Sequence, residues 1–166
     1  MIRRTLVVGS AAVALIAACG VAHQADLNSA PAAQSGSPRV LEPSQVQTQV
    51  AGKPAAYLFT ATSCESCVAA VKVMQTAARD HGGVQFVGVD MFSADSPADI
   101  SAWLQANGLS LTMLVWTIDK DGSLTTKFGV TSLETSVLVG SSGQVRFVNH
   151  GGADPALLAK QLAQLT

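Results

Sequence analysis

Two cysteines three positions apart, Cys64-Glu65-Ser66-Cys67, narrow the possibilities for this chain because of what stands on either side of them. Ahead of the pair, Ala55-Ala56-Tyr57-Leu58-Phe59-Thr60 is a short, continuous apolar run that reads as a buried strand. Behind it, Val68, Val71, Met74 and Ala78 recur at helical spacing until His81-Gly82-Gly83 ends the pattern. A strand-to-helix junction puts Cys64 where free backbone N–H groups and the helix dipole stabilise a thiolate. Cys67, one turn further in and more buried, is placed to close a disulfide and resolve a mixed one. The competing readings are half of a zinc site and a purely structural bridge. Zinc needs two more ligands, and the domain has no second cysteine pair and only His81 and His150 as histidines. A redox pair with no metal and no cofactor is therefore expected.

The rest of the chain supplies an α/β frame. Val84–Asp90 reads as a second apolar strand. Ser96-Pro97 caps and opens a helix that runs to about Asn107, with Gly108 past its end. Thr112–Ile118 reads as a third strand, and Asp119-Lys120-Asp121-Gly122 as a turn before a short helix over 123–128. Thr135–Val139 and Gln144–Asn149 are joined by Gly140-Ser141-Ser142-Gly143, a hairpin signal. Asp154-Pro155 opens a last helix carrying Leu157, Leu158, Leu162 and Leu165. Strands alternating with helices imply right-handed crossovers and a parallel core, and the final hairpin adds an antiparallel edge. The expected fold is a three-layer α/β/α domain with a mixed central sheet over residues 46–166. Trp103 and Trp116 read as core residues, and Lys72 as part of a solvated helix face.

The N-terminus is of another kind. Arg3 and Arg4 precede an uncharged stretch from Thr5 to Ala18, of signal-peptide length and short for a membrane span. It ends Ile16-Ala17-Ala18-Cys19, which resembles the lipobox of bacterial lipoproteins. That resemblance implies a cleaved signal peptide over 1–18 and lipidation of Cys19. The alternative is an uncleaved anchor helix; either way the domain lies outside the cytoplasmic membrane. Residues 19–45, with Ala30-Pro31-Ala32-Ala33-Gln34-Ser35-Gly36-Ser37-Pro38, read as a flexible tether. The odd count of three cysteines thus divides into one for targeting and two for chemistry. With 10 basic and 11 acidic residues and 5% aromatics, the chain has no surplus positive charge or stacking surface for nucleic acid.

Phe59–Cys67 is similar to the active-site stretch of the thioredoxin superfamily, and Phe128-Gly129-Val130-Thr131-Ser132-Leu133-Glu134-Thr135 resembles its second landmark. With the lipobox and tether, the chain looks most like the membrane-tethered TlpA/ResA-type thiol–disulfide oxidoreductases. The resemblance implies a thioredoxin fold, with Cys64 as nucleophile and Cys67 as resolving thiol. It also implies protein thiols and disulfides as substrates, a membrane electron donor, and a reducing role; a monomer is expected. Four positions depart from the family pattern. Ser63 stands where Trp is usual, Leu58 where thioredoxins bury an acid, and Ala70 where tethered reductases often place Glu. Glu134 aligns with the landmark cis-proline. A cis bond before a non-proline residue costs about 2.5–4 kcal/mol, so a trans Leu133–Glu134 bond is expected.

Glu134 either faces Cys64, where its charge would disfavour the thiolate and make the couple more reducing, or is a solvated loop residue. Glu65 is either a partner of the helix dipole or a substitute proton acceptor. Two other functions compete with the enzyme. One is a binding module holding copper or another metal through Cys64, Cys67 and His150. The other is a redox-inactive interaction lipoprotein.

Overall fold

The computed structural model describes residues 36–165, and the expected signal peptide, Cys19 and the first part of the expected tether lie outside the described residues. Six strands form one sheet: β1 (Arg39–Leu41), β2 (Ala55–Thr60), β3 (Gln85–Asp90), β4 (Val115–Ile118), β5 (Thr135–Val139) and β6 (Val145–Asn149). Five helices connect them: α1 (Pro43–Val50), α2 (Cys67–Asp80), α3 (Pro97–Ala106), α4 (Ser123–Phe128) and α5 (Pro155–Leu162). The strand order is β1-β4-β3-β2-β5-β6. β1, β4, β3 and β2 run parallel, while β5 pairs antiparallel with β2 and β6 with β5. This is the mixed sheet of a thioredoxin-like fold.

Every residue of β2 is buried, as a central strand with both faces covered must be. Its side chains alternate between two cores. Ala56 and Leu58 join Val71 and Met74 of α2, Ile100 and Leu104 of α3, and Leu158 and Leu162 of α5. Tyr57 and Phe59 join Val46 of α1 and Leu124 of α4 on the other face. The two clusters make the three layers. Gly88 is the point of closest approach: a Cβ there would lie 2.6 Å from the Trp116 ring. Trp103, half-buried, meets that ring edge-on at a centroid distance of 6.1 Å.

Two boundaries differ from the sequence reading. Residues 39–45, taken as the end of the tether, already form β1 and the start of α1. Three residues are too few to show a period, but pairing with β4 fixes them: Val40 lies opposite Trp116. The third predicted strand is shorter than its apolar run. Leu111 and Leu114 are buried, yet regular pairing begins only at Val115. Just ahead of this segment the Gln75 side chain holds the backbone: its amide donates to the Ser110 carbonyl at 2.8 Å and accepts from the Ser110 N–H at 2.9 Å.

Candidate active site

β2 ends at Thr60, and Ala61–Ser66 turn the chain into α2. The helix begins at Cys67 itself, so Cys67 is its first residue rather than one turn inside, and Cys64 sits in the turn before it. The turn is closed by the Cys64 N–H donating to the Ala61 carbonyl at 3.1 Å. Cys64 and Cys67 are joined in a disulfide with a Cα–Cα distance of 5.4 Å. Cys67 is fully buried and Cys64 half-exposed. The Cys67 N–H points at Cys64 Sγ from 3.2 Å, and the Ser66 hydroxyl lies 3.5 Å from it. Once the bridge opens, these groups stabilise a thiolate on the accessible sulfur. Glu65 is exposed.

The antiparallel neighbour brings the second landmark to the same place. Phe59 pairs with Thr135, so the residues entering β5 lie beside the end of β2. The Glu134 N–H donates to the Phe59 carbonyl at 2.8 Å, and the Thr135 hydroxyl closes the loop on the Ser132 carbonyl at 2.7 Å. Among the described residues no peptide bond is cis, so Leu133–Glu134 is trans, as its sequence required. Glu134 adopts a left-handed φ of 58°. A non-glycine residue there costs about 1–2 kcal/mol, and the two flanking hydrogen bonds hold it in place. The half-buried side chain turns toward the disulfide: its carboxylate oxygen and the two sulfurs all lie within 4.8 Å of one another. Of the two readings of Glu134, the geometry is that of the residue facing the pair. Leu133 beside it is an exposed apolar side chain. His150 is exposed, with Nδ1 3.4 Å from the Thr135 hydroxyl, and it is not part of the Cys64–Cys67–Glu134 group.

The other neighbour of β2 carries a carboxyl that the sequence reading passed over. Asp90 ends β3, opposite Thr60 in register, and is buried at 1% exposure. One oxygen accepts from the Phe92 N–H at 2.9 Å; the other has no donor. Burial, with Asp95 and Asp99 nearby, pushes its pKa up to about 7. Protonation resolves the missing donor, because a neutral Asp90 can itself donate to the Asp95 carboxylate. Asp95 in turn accepts from the Thr62 hydroxyl, inside the turn that carries Cys64. The available signal was an aspartate closing an otherwise apolar strand, Val87-Gly88-Val89-Asp90.

Residues 32–148 match the AhpC/TSA family. No curated protein gave a significant match. Among solved structures, Mycobacterium tuberculosis DsbF, in mixed oxidised and reduced forms, is 29% identical, with a TM-score of 0.62 over 71% of this chain and 84% of that one. A secreted M. tuberculosis disulfide oxidoreductase homologous to Escherichia coli DsbE is 21% identical, with a TM-score of 0.59 over 71% and 86%. The pneumococcal exposed lipoprotein thioredoxin Etrx1 from Streptococcus pneumoniae is 24% identical, with a TM-score of 0.58 over 71% and 89%.

Proposed function

The chain belongs to the AhpC/TSA family and is a thioredoxin-like thiol–disulfide oxidoreductase with a Cys64–Cys67 pair; from that premise we propose that it is a lipid-anchored, extracytoplasmic reductant of protein disulfides. The observation that carries the reading is the asymmetry of the pair, a half-exposed Cys64 facing N–H and O–H donors over a buried Cys67. In the reduced protein the Cys64 thiolate attacks one sulfur of a substrate disulfide. A Cys64–substrate bond forms and one substrate thiolate leaves. Cys67, losing its proton, attacks Cys64 Sγ, the second substrate thiolate leaves, and the Cys64–Cys67 bond closes. Two electrons pass to the substrate, and a dithiol donor at the membrane restores the pair.

Glu134 modulates this cycle. Its negative charge beside the sulfurs opposes a thiolate on Cys64, which favours the disulfide and makes the couple more reducing. Glu65, exposed in the turn ahead of α2, is a partner of the helix dipole, and the carboxylate that lies close to Cys67 Sγ is that of Glu134. Anchoring rests on Arg3, Arg4, the apolar run and Ile16-Ala17-Ala18-Cys19. Of the similar proteins, one is described as secreted and one as an exposed lipoprotein. Among the described residues no helix is long and apolar enough to cross a membrane.

The test is insulin reduction with a dithiol donor. Turnover should vanish in Cys64→Ser, and Cys67→Ser should accumulate a mixed disulfide. Wild-type protein without turnover under any dithiol donor refutes the redox assignment. Cys19→Ser should abolish palmitate labelling and release the protein from the membrane fraction; retained labelling refutes the anchor.

A further inference from the structure

We propose that, when the disulfide is open, Cys64, Cys67 and Glu134 form a three-ligand site for a zinc-class divalent cation. The inference rests on the pair being able to open, and goes beyond thiol–disulfide exchange in assigning the reduced form a second ligand chemistry. Two thiolates at C-x-x-C spacing are one half of a familiar tetrahedral zinc site. The sequence supplies no second cysteine pair, and that counted against metal binding. The fold supplies a third donor from a position 67 residues beyond Cys67 in the chain, with the Glu134 oxygen and both sulfurs within 4.8 Å of one another. Donor atoms around tetrahedral zinc lie about 3.5–3.8 Å apart, given bonds of about 2.0–2.3 Å. Glu134 therefore needs only a small side-chain movement, while the sulfurs separate from their bonded position.

Several observations favour occupancy. The backbone of Glu134 is fixed by its N–H bond to Phe59 and by the Ser132–Thr135 contact, so the carboxylate is held in place before a metal arrives. The Cys67 N–H directed at Cys64 Sγ and the start of α2 offset part of the negative charge of three anionic donors. Two sulfurs and one oxygen select a borderline-soft ion of the zinc class over magnesium or calcium. Cys64 and Glu134 are half-exposed, which leaves the fourth position open to water or an exogenous ligand. Binding exchanges the two thiol protons for the cation and moves no electrons. It also competes with the disulfide, since the same sulfurs cannot do both.

The experiment opens the full-length protein with a water-soluble trialkylphosphine. The phosphine takes oxygen from water to become its oxide and leaves two thiols. The reduced protein is then titrated anaerobically with Co2+ for its thiolate charge-transfer and tetrahedral bands, and with Zn2+ against a chromophoric chelator. One equivalent should bind to wild type and none to the Cys64→Ser/Cys67→Ser protein, which retains Cys19. Glu134→Gln should weaken Zn2+ at least about tenfold, since even outer-shell changes cost 10–100-fold. Glu134→Cys, a second variant in case the first folds poorly, should bind more tightly and move the cobalt spectrum toward three thiolates. Absence of one-to-one binding in reduced wild type, or equal affinity in wild type and a folded Glu134→Gln, overturns the proposal. Because reduction is chemical, failure here leaves the insulin result standing, and loss of insulin turnover with intact Co2+ binding strikes the exchange reading instead.

Discussion

β2 has a carboxyl on each side at the end that leads to the cysteines, and the two live under opposite conditions. Asp90, on the parallel neighbour β3, is buried, lacks a donor on one oxygen and has its pKa raised to about 7. Glu134, at the entrance to the antiparallel neighbour β5, is half-exposed, sits in a left-handed backbone conformation and faces the sulfurs. One acid is held by its surroundings in a form that suits the fold, and the other is held by the fold in a place that suits the sulfurs. The lesson is that an acid missing from its usual position, here Leu58, does not leave the site without acids. Their effects separate: Asp90 should register in stability, and Glu134 in reactivity.

The largest expected effect tests the first half of that division. An acid whose folded pKa is raised lets the native state hold the extra proton. Its contribution to stability is intact below about 3.8 and is lost as pH rises through about 7. Asp90→Asn keeps the donor and the acceptor while removing the charge. It should gain up to about 4 kcal/mol over wild type at pH 8, and the gain should vanish near pH 4. Urea unfolding at both values checks it; a gain independent of pH would break the assignment. Next comes Thr62→Val, which removes the hydroxyl donated to the Asp95 carboxylate. It should cost about 1.5–3 kcal/mol in the same measurement, as expected for a hydrogen bond to a charged group.

Glu134→Gln tests the other half. Removing one charge close to the sulfurs should lower the pH midpoint for alkylation of reduced Cys64 by about one unit, or about 1.4 kcal/mol. The glutathione redox midpoint should rise by up to about 30 mV, the equivalent of tenfold in the exchange constant. Urea stability of the oxidised form should barely move. An equal shift from Asp90→Asn would erase the distinction between the two carboxyls. The smallest effect is expected from Glu134→Gly, which relieves the left-handed backbone but loosens the unfolded chain. The two terms nearly cancel, leaving a change in oxidised-state stability within about 1 kcal/mol by the same titration.

Much of this was legible in the sequence because it was local. The apolar run of β2, the Ser96-Pro97 cap and the glycine-rich hairpin each announce themselves within a few residues. The structure bears out the cap, with the Ser96 N–H donating to Asp99 at 2.9 Å. The cysteine pair was legible for the same reason. β1 was not, since three residues gain their identity only by lying against β4. Nor was the Asp90–Asp95–Thr62 connection, which joins two loops that are neighbours only because β2 and β3 pair. Glu134 was recognised as a departure, but whether it met solvent or sulfur depended on the backbone conformation of a single residue.

The direction of β1 has one more effect. It runs parallel to β4, β3 and β2, whose far ends carry the cysteines, so the chain enters the sheet from the opposite end. Gly36 shows the path: it lies beside Thr112, ahead of Val115 where β4 begins. Whatever chain precedes Gly36 therefore joins the domain at the end of the sheet remote from the disulfide, and the rim that carries the sulfurs is left clear of the entering backbone.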